Sequence, residues 1–207
     1  MTKYPPPHHQ EADFANCIRL VEAAPLATVI TAKNSSVHTT HTPLVYHKDA
    51  HLGYFIGHID KYNPQVKHLL EGGPVTVLFH GPETYISPSV YQSTQLPTWN
   101  YFKAHFDGSV EAYTDHQRLT DSLVVMTTKL EGPNGKYQLA ADNPRMASLL
   151  DYIIGFKITI QDWEGKFKLS QDKHPKDQQL AKQAMEGNFP GQKALIGSLY
   201  AYHQTKR

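Results

Sequence analysis

Apolar residues recur along this chain with two different periods. Phe14, Ile18 and Val21 lie three and four positions apart, which puts them on one face of a helix. That spacing predicts a helix over 11–24, ended by Pro25, after an extended lead-in at "YPPPHH". The period then shortens. "LATVIT" (26–31), "VHTTHTPLVYH" (37–47) and "HLGYFIGHI" (51–59) are rich in β-branched and aromatic residues and are separated by turn residues, so they predict an antiparallel meander of three strands. Asn63, with Pro64 at the first helical position and Gly72 and Gly73 beyond the end, predicts a short helix. Residues 74–81 are nearly all apolar and predict a strand buried on both faces.

Downstream, 91–100 reads as a loop and 101–113 as a long strand with a bulge at Gly108. A helix over 114–131 is capped at Thr114 or Asp115, and a short helix follows at 144–150. Residues 153–171 predict two strands joined at 162–165, and helices over 175–186 and 191–203 finish the chain. Six or seven antiparallel strands without βαβ alternation give an α+β, barrel-like domain. It is expected to be one domain over 1–207, with C-terminal helices over about 175–207.

Composition narrows the partners. The 207 residues carry a net charge of +1 and four arginines, Arg19, Arg118, Arg145 and Arg207, so no concentrated basic face for a nucleic-acid backbone is advertised. The two C-terminal helices, joined by "GNFPGQ", have mixed charges and lack a helix-turn-helix signature. No apolar run is long enough to span a membrane, and no signal pattern opens the chain. The single cysteine, Cys17, lies on the apolar face of the first helix, so a buried thiol in a reducing, cytoplasmic setting is expected. The 13 histidines include no metal-ligand spacing: His38 and His41 fall on opposite faces of a strand, and no metal is expected. Neither a Rossmann nor a P-loop glycine pattern occurs, nor a nucleophile elbow.

Several stretches carry hydrogen-bonding groups beyond what turns need. In "GHIDKYNPQVKHL" (57–69) a strand ends at His58, Lys61 sits in a turn and a helix begins near Asn63, residue types suited to an anionic group. In "THTPLVY" (40–46) a proline inside a strand implies an edge or a bulge, with backbone groups free for a planar heterocycle. "FHGPETYISPSVY" (79–91) packs Thr84, Tyr85, Ser87 and Ser89 into its last eight positions. "LPTWNY" (96–101) sets a Trp and a Tyr around Asn100. In "EGKFKLSQDK" (164–173) Lys166, Lys168 and Ser170 share a face.

The combination "GHIDKYNPQ", "FHGPETYISPSVY", "PTWNY" and "EGKFKLSQ", in this order, resembles the PaiB family of FMN-binding proteins, described as negative transcriptional regulators. The resemblance runs from "KYPPPH" through "KLSQDK". It implies a split β-barrel like that of pyridoxamine-phosphate oxidases, and a homodimer with FMN at the interface. By that analogy His41, Thr42 and Pro43 lie along the flavin ring, and His58, Lys61, Asn63 and Gln65 take the phosphate. Tyr85, Ser87, Trp99 and Asn100 close the ring side, and Lys168, Ser170 and Gln171 reach in from the other subunit. Phe167 stands where many relatives carry Trp. Two functions follow: an FMN-binding regulator acting through DNA or a protein partner, or an FMN-dependent oxidoreductase on a small substrate. Haem binding, known among split barrels, is a third reading that no motif here places.

Overall fold

A computed structural model describes residues 6–205, and the side chains of residues up to 203. Tyr4 and Pro5 of the expected lead-in lie outside the described residues; Pro7–His9 form a short 3-10 turn. Strand β1 is Gln10–Glu11 and helix α1 is Phe14–Ala23. Then come β2 (Leu26–Lys33), β3 (Ser36–Pro43), β4 (Val45–His47), β5 (Tyr54–Asp60), α2 (Val66–Leu70) and β6 (Gly73–Ile86). The second half holds β7 (Thr98–Tyr113), α3 (His116–Glu131), α4 (Pro144–Ala147), β8 (Ile153–Lys168), α5 (Pro175–Asn188) and α6 (Lys193–Thr205). The sheet runs β3-β2-β6-β7-β8-β5-β4, with β1 also pairing β8. The pairs β1–β8, β2–β3, β4–β5 and β5–β8 are antiparallel.

Two compact units form. Unit 1 takes the described residues up to Ala24, Phe79–His105 and those from Trp163 onward; unit 2 takes Pro25–Leu78 and Phe106–Asp162. Unit 1 is built on Leu20, Phe102, Phe167, Met185, Leu199 and Tyr200, all buried. The Phe102 and Phe167 rings meet edge to face at 5.1 Å. Unit 2 is built on Val29, Leu44, Phe55, Val77, Phe106, Phe156 and Ile158. There Phe55 and Phe106 meet edge to face at 5.0 Å. Full burial of such a ring contributes about 2–3 kcal/mol.

Several boundaries differ from the sequence reading, each for a local reason. The first helix begins at Phe14 because Asp13 caps it, accepting from the Ala15 N–H at 2.9 Å. Glu11 is thereby excluded, and its buried carboxylate instead takes the Asn16 amide at 3.0 Å and the Asp13 N–H at 2.7 Å. The single strand expected over 37–47 is divided at Leu44, whose N–H bonds the Pro25 carbonyl at 2.9 Å; β3 pairs β2, whereas β4 pairs β5. The third meander strand starts at Tyr54, since Asp49 accepts from the His51 and Gly53 N–H groups and Gly53 takes φ +84°. Strand β6 extends through Ile86, five residues past the expected end, and it alternates: Val75, Val77 and Phe79 are buried, Thr76 and Leu78 half-buried and His80 exposed, so it is not covered on both faces. The two strands expected over 153–171 are one. Gly165 makes no turn; a Cβ there would stand 2.5 Å from Glu11 Cβ and 2.7 Å from Cys17 Sγ, so the glycine admits α1 and β1 against β8. Strand β7 starts three residues earlier than expected and runs unbroken past Gly108. Asp115 caps α3 by accepting from the Arg118 N–H at 2.8 Å, as expected. Cys17 is fully buried as a thiol. No helix among the described residues is long and apolar enough to cross a membrane.

Candidate functional site

Strand β3 ends the sheet path, so among the described residues one of its edges is unpaired by strand hydrogen bonds. Its alternation places Thr39 and His41 outward, while His38 and Thr40 are half-buried and Thr42 is buried. His41 and Thr42 therefore point to opposite faces, and both can meet one flat ligand only through the backbone of the edge. His41 Nδ1 hydrogen-bonds Thr28 Oγ1 at 3.0 Å. Thr42 Oγ1 donates to the His58 carbonyl at 2.9 Å, tying β3 to β5 within unit 2.

The segment between β5 and α2 is bolted onto β2 and β3. Asn63 Nδ2 donates to Thr40 Oγ1 at 3.0 Å, and Asn63 Oδ1 accepts from the Gln65 N–H at 2.9 Å. Gln65 is 1% exposed. Its amide nitrogen reaches the Val29 carbonyl and Thr31 Oγ1, each at 3.1 Å, and the His38 carbonyl at 3.3 Å. Its carbonyl oxygen has no partner among the described residues. His68 Nδ1 bonds Thr31 Oγ1 at 3.1 Å, and the His38 and His68 rings meet at 4.6 Å. Helix α2 spans five residues, too short for an appreciable dipole, so the charge here comes from Lys61. Its ammonium lies 4.9 Å over the Tyr152 ring and 5.3 Å from that of Tyr62, which is largely exposed. The Thr31 and His68 partners were not singled out from the sequence, whereas Thr40 lies in the hydroxyl-rich stretch "THTPLVY" that was.

The His58 ring does not join this network. It lines a 350 Å³ cavity with Leu123, Tyr137, Leu139 and Met146. Its shielded Nδ1 has no partner among the described residues, and burial pushes the imidazole below its ordinary range.

In unit 1 the expected residues separate into an inner and an outer set. Asn100 is 0% exposed; its amide nitrogen donates to Ser170 Oγ at 3.0 Å and Tyr200 Oη at 3.2 Å. Ser170 returns a bond to Asn100 Oδ1 at 3.1 Å and meets Tyr91 Oη at 2.9 Å. Burial holds the Tyr200 phenol far above its ordinary range, so it stays protonated. Gln171 Oε1 accepts from the Leu169 N–H at 2.7 Å and meets His9 Nδ1 at 3.0 Å, and its amide nitrogen donates to the Phe167 carbonyl. These three side chains all bond within their own unit. Outside them, Tyr85 and Trp99 are 51% and 54% exposed, with ring centroids 6.4 Å apart. Ser87 accepts from the Ser89 N–H and meets its hydroxyl at 2.8 Å, and Lys168 is half-buried. The crowded hydroxyls of 79–91 thus divide too: Thr84 accepts from the Asn188 amide, and Tyr91 turns inward to Ser170.

The donor set of unit 2 fits a flavin nucleotide: an unpaired strand edge suits a polar ring edge, Lys61 suits a phosphate, and Gln65 keeps an unused buried acceptor. Comparisons with known proteins agree with that chemistry. The family described as "Putative FMN-binding domain" matches residues 3–162. The chain is 30% identical over 183 residues to the protease synthase and sporulation protein PAI 2 of Bacillus subtilis, covering 84% of each protein. Its fold is similar to that of the FAD and heme binding protein from Mycobacterium smegmatis, with a TM-score of 0.61, 18% identity and coverage of 77% of this chain and 73% of that one. It is also similar to the flavocytochrome Anf3 from Azotobacter vinelandii, with a TM-score of 0.59, 14% identity and coverage of 77% and 69%. The fold class read from the sequence, an α+β antiparallel split barrel with peripheral helices, is the one these likenesses show.

Proposed function

The chain belongs to the PaiB-like family of FMN-binding proteins, and from that membership we propose that it is a flavin-dependent negative transcriptional regulator that works as a homodimer. Its cofactor is FMN. The observation that carries the reading is the family match over 3–162, which takes in the whole β3, β5 and α2 network described above. We assign the FMN phosphate to Lys61, with Asn63 and Gln65 as positioning residues that hold the segment against β2 and β3. The edge of β3 at His41, Thr42 and Pro43 is assigned to the polar rim of the ring through backbone groups. In unit 1, Tyr85 and Trp99 form a separate aromatic platform, with Ser87 and Lys168 as the polar groups near the surface. Asn100, Ser170 and Gln171 support that surface from inside. Bound FMN would supply hydride or electron chemistry; the chain's residues supply binding and orientation.

The test is direct. The purified protein is titrated with FMN and followed by flavin fluorescence, and NADH is then added anaerobically. Saturable binding without bleaching supports the regulator. Bleaching at a useful rate replaces it with the second function read from the sequence, an FMN-dependent oxidoreductase on a small substrate. Absence of binding refutes both. Lys61→Ala is expected to weaken FMN by about tenfold, the worth of one charge-assisted contact; unchanged affinity removes Lys61 from the site. Sedimentation at micromolar concentration is expected to show a dimer, and a monomer overturns the homodimer.

A further inference from the structure

We propose that unit 2 carries a second ligand site, for a small apolar monocarboxylate, in the cavity lined by His58. The cavity measures 350 Å³, at the lower end of small-molecule pockets and enough for a body of one or two rings. Leu123 of α3, Leu139 of the segment before α4 and Met146 of α4 give it apolar walls. Four polar side chains interrupt them: His58, Tyr137, Asn143 and Arg145.

Neither His58 Nδ1 nor the exposed Arg145 guanidinium has a protein partner among the described residues. His58 Nδ1 is shielded from solvent with no partner among the described residues, and a buried polar atom left in that state is destabilising. Burial lowers the pKa of the ring, so it is neutral near pH 7. Arg145 makes no side-chain hydrogen bond or ion pair among the described residues. Its backbone is nevertheless fixed, because Asn143 caps α4 and accepts from the Arg145 N–H at 3.0 Å. A guanidinium held at the base and free at the tip matches a carboxylate with two parallel bonds. A ligand with an apolar body and one carboxylate satisfies the walls and Arg145 together. The Arg145 and Tyr137 side chains lie outside the β3 network assigned to FMN, so the site stands independently of that assignment.

The experiment uses the FMN-saturated full-length protein and calorimetric titration with 1-naphthaleneacetate and its uncharged amide, 1-naphthaleneacetamide. The acid is expected to bind one per chain, at least about tenfold more tightly than the amide. Arg145→Gln, at an exposed position, is expected to weaken the acid about tenfold and leave the amide unchanged. Leu123→Trp fills the cavity and is expected to abolish binding of both; should it fail to fold, the Arg145 variant decides. Equal affinities for acid and amide, or an Arg145→Gln variant that binds the acid normally, overturn the proposal. So does displacement of FMN by the acid, which would make the cavity part of the flavin site.

Discussion

Replacing Asn100 by Ala separates a wall residue from a ligand contact. Asn100 is wholly buried in unit 1 and bridges Ser170 and Tyr200. Truncation removes its bonds to both, each contributing about 1 kcal/mol net. It also leaves the buried Tyr200 hydroxyl without its donor, which costs about 1–3 kcal/mol. Ser170 keeps Tyr91 and is less affected. The void left by three heavy atoms adds to the loss at about 24 cal/mol per Å³. The expected destabilisation is therefore about 3–5 kcal/mol, or roughly 10 °C in melting temperature for a chain of this length. Urea unfolding monitored by tryptophan fluorescence measures it, and an unchanged denaturant slope keeps the comparison two-state. Asn100→Asp keeps the shape but buries a charge and is expected to be at least as harmful. A loss below about 1 kcal/mol for Asn100→Ala would refute the reasoning, because a saturated interior amide cannot be removed that cheaply. A large drop in FMN affinity with unchanged stability would instead make Asn100 a direct flavin contact.

Three further outcomes follow from the same geometry. Ser170 has φ +61°, so Ser170→Gly and Ser170→Ala both lose the hydroxyl bonds but only glycine relieves the left-handed backbone; the alanine variant is expected to be less stable than the glycine variant by about 1 kcal/mol in urea unfolding, and equal midpoints would contradict this. Gly108→Ala would place a Cβ 2.3 Å from the Thr159 carbonyl oxygen, a backbone atom that cannot rotate away, so a loss of about 2 kcal/mol or more is expected, and a variant with normal melting would show that β7 and β8 can separate there. Burial lowers the pKa of His9, His47 and His58, so unfolding takes up protons below their ordinary value near 6.5; stability is full above that pH and falls as pH drops through it, and urea midpoints that do not change between about pH 7.5 and 5.5 would refute the burial of these rings.

Much of the fold was legible along the chain because local chemistry governed it. Asp115 as a cap, Cys17 on the apolar face of α1 and the existence of a short helix after Asn63, though it starts at Val66 rather than Pro64, are consequences of side-chain type and spacing, and the proline-bearing strand took the edge of the two places open to it.

What the sequence could not settle were choices of partner. A strand that changes neighbours looks locally like one that stops, so "VHTTHTPLVYH" read as a single strand although Leu44 divides it, and "FKITIQDWEGKFK" read as two although β8 is continuous. Glycine is ambiguous in the same way: Gly165 has the composition of a turn but admits Glu11 and Cys17 against a strand. Side-chain roles divide along the same line. The sequence determined by itself that Asn100, Ser170 and Gln171 were polar groups in a distinctive motif. Only tertiary structure decided that they bond inward, that Lys61 lies over Tyr152, and that the His58 ring opens onto a cavity with Arg145, 87 positions along the chain. A hydrogen bond depends on distances in space, and those are set by which faces the core buries.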